Sequence, residues 1–290
     1  MYFKIFYYAL LRNSEKVAPV HHLRTLRRST NFDQNGSLAT YRGKSDAILM
    51  EVRGSSTRFF GRIGRHSTER LVTSYDRRSD EAREIAADDD DYPNVMFVCI
   101  PDLEMIACAD TGQLSAGAAM NRMHAVLAHR ARCRLEVYPL RQADDLRIAT
   151  NRFNVHEVTF DIYPVNPHTG DLGRLLDENN KRDYIERFSG KAQSSGHPLK
   201  LNGGTLEQVA ELQQSGHARV GYRAHTDEGT EISVKKPEKP RTLSEEAIED
   251  DERTPELRLR MSDISFPPED ASLDEIERIM TTFAEMHART

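Results

Sequence analysis

The sequence predicts an α+β fold, with an antiparallel-sheet-rich N-terminal region bearing helices and a second, mixed α/β region after it. Three features carry this expectation. Short runs rich in β-branched and aromatic residues, separated by glycine turns, fill the first 65 residues. Two apolar runs flank Pro101-Asp102 and lead into a segment with helical periodicity. Beyond it, strand-like and helix-like segments alternate irregularly, without the regular alternation of a parallel doubly wound sheet.

Taken in order, Tyr2 to Leu11 is apolar and aromatic, but it is too short for a membrane span and lacks a small-residue cleavage site, so it reads as a strand. Strands are expected at Ala39 to Tyr41, Ala47 to Arg53 and Thr57 to Ile63, with turns at Asn35-Gly36, Gly43-Lys44 and Gly54-Ser55. Residues 76 to 88 hold good helix formers and predict a short helix before the acidic run Asp88 to Asp91. Val95 to Ile100 and Glu104 to Ala109 predict two buried strands around a tight turn. Leu114, Ala118, Ala119, Met123, Val126 and Leu127 recur at helical spacing. A strand at Arg134 to Leu140, a short helix near Asp144 to Ala149 and a strand at His156 to Val165 complete a first domain, residues 1 to 165.

The second domain is expected over residues 166 to 290. Leu172 to Phe188 has helical periodicity, and Ser189 to Pro198 reads as a Gly/Ser-rich break suited to a hinge. Thr205 is expected to cap a helix through Leu212. Ala218 to Ala224 and Thr230 to Val234 form a hairpin about Asp227-Glu228-Gly229, and residues 236 to 254 combine prolines with a block of acids expected to remain mobile. Ser272 to His287 closes the chain as an amphipathic helix with Leu273, Ile276, Ile279, Met280 and Phe283 on one face. That face suits either packing on its own domain or dimerisation.

Charge is sorted along the chain. Thirteen Lys and Arg stand against five Asp and Glu up to Arg70, although the whole protein has a formal net charge of -6. From His225 onward acids outnumber bases two to one. Such segregation points to a face for a polyanion. The candidate nucleic-acid contacts are Arg24, Arg27, Arg28, Arg42, Lys44, Arg53, Arg58, Arg62 and Arg65. Helical spacing would gather Arg24, Arg27 and Arg28, while strand alternation puts Arg58, Phe60 and Arg62 on one face and Phe59, Gly61 and Ile63 on the other. An ordinary solvated face is the alternative reading of these cations, as helix-end placement is for His129, Arg130, Arg132 and Arg134.

Catalytic and metal patterns are missing from the sequence. His124, His129 and Cys133 do not share a helix face, and there is no CxxC, Walker loop or nucleophile elbow. Pro101-Asp102 opens like a metal-dependent nuclease strand pair, but Glu104-Met105-Ile106 lacks the following lysine. No catalytic residue, metal or cofactor is therefore expected. Cys99, Cys108 and Cys133, without close pairing, suit a reducing cytoplasm.

Within this frame, Tyr92-Pro93-Asn94-Val95-Met96-Phe97-Val98, Arg134-Leu135-Glu136-Val137-Tyr138-Pro139-Leu140, Asp144-Asp145-Leu146 and the strand Val155 to Tyr163 resemble the RexA family of phage-exclusion proteins from lambda and related temperate phages. A weaker echo spans Val220 to Val234. The resemblance implies a cytoplasmic, homodimeric, sequence-nonspecific double-stranded DNA-binding protein of a prophage antiviral defence, related in shape to the recombination-associated protein RdgC. It further implies a closed dimer that opens to admit DNA, and a membrane-protein partner of the exclusion system; the hinge at Ser189 to Pro198 and the lack of membrane insertion are read from this chain's own residues. No DNA-contact residue carries over, because the basic N-terminal region departs most from the family pattern. A nucleic-acid-cleaving defence effector and a protein-interaction module meeting a partner through the acidic segment remain the alternatives.

Overall fold

The computed structural model describes residues 1–30, 39–41, 44–65, 71–76, 81–86, 93–140, 144–163, 187–237, 256–261 and 264–288. Helices and extensive antiparallel sheet make the fold α+β, as the sequence predicts. Two compact units are present, Tyr7–Tyr138 and the combination of Met1–Phe6 with Pro139–Thr290.

In the unit Tyr7–Tyr138 the first strand, β1 (Tyr2–Arg12), contributes its second half and turns back on the two-residue β2 (Glu15–Lys16). Helix α1 (His22–Thr30) follows, then β3 (Ala39–Tyr41), β4 (Lys44–Gly54) and β5 (Phe59–Arg65). After the hairpin of β6 (Leu71–Asp76) and β7 (Glu81–Ala86) come β8 (Asn94–Ile100), β9 (Met105–Asp110), α2 (Ala116–Ala131) and β10 (Arg134–Pro139). The strands neighbour one another in the order β1-β9-β8-β5-β4-β3, and β10 pairs with β1.

Residues Val95 to Ile100 are apolar without interruption because β8 is central and buried on both faces. Phe59, Ile63, Phe97, Ile106, Met123 and Leu127 form the most deeply buried part of the core. Ser115 caps α2 by accepting from the Ala118 N–H, and the Asp110 carboxylate accepts from the Ala116 N–H at 3.2 Å.

The helix expected at residues 76 to 88 is a correction: Glu81–Ala86 is a strand, in register with β6 from Leu71↔Ala86 to Asp76↔Glu81. Helix propensity is a weak local prior, and a hairpin partner that satisfies the strand's backbone groups overrides it.

The other unit holds α3 (Leu146–Arg152), β11 (Asn154–Ile162), β12 (Phe188–Gln193), α4 (Thr205–Gln214), β13 (Ala218–His225), β14 (Glu231–Lys235), β15 (Glu256–Arg260) and α5 (Asp270–Ala288). Its strands run β12-β11-β13-β14-β15 and then the first half of β1, all antiparallel. Val158, Phe160 and Ile162 of β11 and Val220 and Ala224 of β13 are buried, and α3 and α4 pack against these strands. Gln213 joins the two helices, accepting from the Leu146 N–H at 3.1 Å and donating to the Asp144 carbonyl at 2.7 Å.

β11 lies between β12 and β13, both from beyond residue 165, so the compact units divide at Tyr138/Pro139 and not at the sequence-based boundary of 165/166. The hinge expected over Ser189 to Pro198 is corrected in its first half, while Ser194 to Pro198 lies outside helix and strand. Ser189–Gln193 is strand, paired from Ser189↔Asp161 to Gln193↔Glu157, because small residues fit an edge strand that lies against side chains of its neighbour. Gly190 shows the fit: a Cβ there would penetrate the Phe160 ring directly opposite. Gly190→Ala is expected to destabilise the fold by about 1–3 kcal/mol through overpacking, read as a lower urea midpoint with unchanged m-value.

One smaller expectation changes, and another is decided between its two alternatives. Thr205 is the first helical residue and Gly204 the cap, without a side-chain cap bond, while Glu207 accepts from the Gly203 N–H at 3.4 Å. The apolar face of α5 is buried within the chain, with Ile276, Ile279, Met280 and Phe283 at 0–1% exposure, so it does not supply a dimer surface. The turn at Asn35-Gly36, the helix from Leu172 as far as residue 186, the acidic run Asp88 to Asp91 and all of the acidic segment beyond Pro237 lie outside the described residues, as does Gly43. Among the described residues no helix is long and apolar enough to cross a membrane.

Candidate nucleic-acid interface

Helix α1 is built by a strict pattern. His22, Thr25, Leu26 and Ser29 are buried at spacings of three, four and seven, which leaves Arg24, Arg27 and Arg28 on the exposed face. His22 docks the helix. The Val17 carbonyl, an acceptor only, lies 2.8 Å from its Nε2 and so fixes the proton there, and the Tyr8 hydroxyl then donates to Nδ1 at 2.9 Å.

Burial is the main cause that lowers the His22 pKa, partly offset by the bond to Val17. Because the charged form is disfavoured only when folded, stability is full above the unfolded value of about 6.5 and falls as pH drops towards the lower folded value. Urea midpoints at pH 7.5 and 5.5 are expected to show this loss, and His22→Gln to flatten it.

Arg27 extends from α1 to β4. Its Nε donates to the Val52 carbonyl at 3.3 Å and its Nη2 to the Gly54 carbonyl at 3.2 Å, the two groups that bracket exposed Arg53. The structure therefore sets Arg27 of α1 against the backbone on both sides of Arg53. Among the described residues none of Arg24, Arg28 and Arg53 has an acidic partner.

The rest of the predicted set divides. On β5, Phe59, Gly61 and Ile63 are buried while Phe60, Arg62 and, just before the strand, Arg58 are half-buried, as the alternation predicts. Register places Arg53 opposite Phe60 beyond a bulge at Glu51, whose φ is +51°. Arg58, Phe60 and Arg62 are each engaged within the chain. Arg42 lies outside the described residues, and of Lys44 and Arg65 only the strand positions are described.

The second basic set is dispersed: Arg132 closes α2 in a left-handed conformation and Arg134 pairs with Glu136 at 3.4 Å. His124 Nδ1 sits 2.9 Å from the Leu135 carbonyl oxygen, and Cys133 is fully buried, so these side chains serve packing.

A second cationic site, in the unit with Pro139–Thr290, was not foreseen. A pocket of about 520 Å³ opens on the polar face of β11, β13 and β14, lined by Arg187, Arg219, Arg223, Lys235 and Lys236 against two carboxylates, Glu157 and Asp161. Strand pairing assembles it: Asp161 faces Arg219 and Glu157 faces Arg223 across β11 and β13, with Thr159 opposite Gly221 between them.

Asp161 is 2% exposed and organises the cations. Its Oδ1 accepts from Ser189 Oγ at 2.6 Å and Lys236 Nζ at 2.7 Å, and its Oδ2 accepts from Arg219 Nη2 at 2.6 Å. Burial opposes ionisation of this carboxyl, but the bonds from Lys236 and Ser189, the Lys236 charge and the Arg219 bond outweigh it and hold the pKa below the usual aspartate value. Gly221 makes room for the neighbouring backbone, since a Cβ there would come within 2.7 Å of the Lys236 backbone nitrogen and 2.8 Å of the Val234 carbonyl oxygen. The available sequence signal was the alternation of Glu157, Thr159 and Asp161 with apolar residues, and of Arg219 and Arg223 about a glycine.

No family model matches the chain, and neither a curated protein nor a solved structure matches it.

Proposed function

We propose that this protein binds double-stranded DNA through its phosphates without reading base sequence, in the setting of phage exclusion that the sequence resemblance implies. The observation that carries the reading is the exposed face of α1 shared by Arg24, Arg27 and Arg28, from which Arg27 reaches the carbonyls on either side of exposed Arg53, while none of Arg24, Arg28 and Arg53 has an acidic partner among the described residues. In a chain of net charge -6 a polyanion is repelled overall, so attraction needs a local cluster of this kind. Such contacts position a protein on the duplex and carry no base information.

A gel-shift titration with duplex DNA, single-stranded DNA and duplex RNA, each with and without Mg²⁺, tests the reading. Retention of duplex DNA of unrelated sequence, uncut in both conditions, is the expected result. No retention at low salt would refute it, and Mg²⁺-dependent cutting would favour the cleaving effector instead. The homodimer belongs to the same proposal, with an interface other than the buried face of α5. Light scattering at micromolar concentration is expected to give twice the 33.1 kDa chain mass, and a monomer mass would contradict it.

A further inference from the structure

We infer that the pocket on β11, β13 and β14 is a binding site for a small phosphate monoester, separate from the arginines of α1. Three observations converge. Among the described residues the lining carries an excess of three positive charges, and its two described carboxylates are already satisfied within the chain, Asp161 by Arg219, Lys236 and Ser189 and Glu157 by Lys191 at 3.0 Å. The Arg219 side chain lines the pocket at 5% exposure, held between Asp161 and the Tyr163 ring 5.0 Å away, yet its buried Nε has no hydrogen-bond partner among the described residues. A buried N–H without an acceptor is costly, and native proteins retain few of them without a reason.

An oxyanion supplies the missing acceptor. A small shift of the guanidinium would open Nε to a phosphate oxygen and form a charge-assisted bond there, and the exposed Arg223 also lines the pocket. Asp161 is a positioning residue here: it holds Arg219 and Lys236 in place and does not itself meet the ligand.

The recess selects the ligand's size. A donor at 5% exposure is out of reach of the rigid phosphate line of a duplex, whereas the terminal phosphate of a small molecule enters a pocket of about 520 Å³, within the range usual for small-ligand sites. The shared chemistry is the phosphate group, which free phosphate and a phosphorylated metabolite both present.

Isothermal titration calorimetry on the full chain at low ionic strength, with inorganic phosphate, adenosine 5′-monophosphate and adenosine as probes, tests the site. Binding of the monophosphate but not of adenosine is expected. Inorganic phosphate competing with the monophosphate would assign the energy to the phosphate, and the stronger of the two would identify the source. Arg219→Gln and Arg223→Gln are each expected to weaken the monophosphate about tenfold. Circular dichroism checks folding, and exposed Arg223 decides alone if Arg219→Gln does not fold.

Neither phosphate probe binding at millimolar concentration, equal binding of adenosine and the monophosphate, or unchanged affinity in the folded variants would overturn the proposal. Displacement of the monophosphate by a DNA duplex would also overturn it, by assigning the pocket to the nucleic acid. Failure here leaves DNA binding by Arg24, Arg28 and Arg53 untouched, because those residues lie in the other unit.

Discussion

Asp161→Ala is expected to cost about 3–5 kcal/mol of folding stability, because it strands one buried cation and a second, partly covered one without their counter-charge. Arg219 is 5% exposed, and Lys236 approaches the same carboxylate from the other oxygen. Asp161→Asn keeps the shape and one acceptor but removes the charge, so its cost is smaller. Chemical denaturation at pH 7 measures both.

The same pair of variants tests the titration. The folded Asp161 pKa is lowered, so its contribution is complete above the unfolded value of about 3.9 and is lost as pH falls through the folded value. Wild-type stability should therefore decline more steeply below about pH 4 than that of Asp161→Asn. Equal slopes would show that the carboxylate's hydrogen bonds do not favour its ionised form.

Salt should have the largest effect on DNA affinity. If Arg24, Arg27, Arg28 and Arg53 each neutralise one phosphate, log affinity falls with log salt with a slope of about -3.6, and raising salt from about 50 to 200 mM weakens binding about a hundredfold. Two duplexes of equal length and unrelated sequence should give the same curve, since phosphate contacts do not distinguish bases. Fluorescence anisotropy across a salt series measures both. A duplex preference that persists at every salt concentration would point to base contacts.

The sequence revealed those features whose causes are local. Arg24, Arg27 and Arg28 share a helix face because the buried set His22, Thr25, Leu26 and Ser29 keeps helical spacing, and β5 alternates because one of its faces is covered. β8 and β9 were legible from their apolar length and from Pro101 between them. Features created by pairing were not. Glu81–Ala86 carries good helix formers and becomes strand only beside β6, and Ser189–Gln193 looks like a flexible break until β11 lies against it.

The phosphate pocket is the extreme case. Asp161 meets Ser189, Arg219 and Lys236 across 28, 58 and 75 residues of chain, so no motif of fixed spacing marks it. Its glycine was equally mute, because Gly221 is needed for the close passage of Lys236 and not for a turn. β15, which was not anticipated, emerges from an acid-rich region, and Lys4 pairs with its Glu256.

The arginine face of α1 is tested most directly by comparing the salt slope of duplex DNA binding for the wild type and for the triple variant Arg24→Ala, Arg28→Ala, Arg53→Ala. All three side chains are exposed, so the variant should keep the wild-type unfolding midpoint to within about 0.5 kcal/mol. The account predicts a slope shallower by about 2.7 and weaker binding to every duplex tried. A folded triple variant with the wild-type slope and affinity would contradict it.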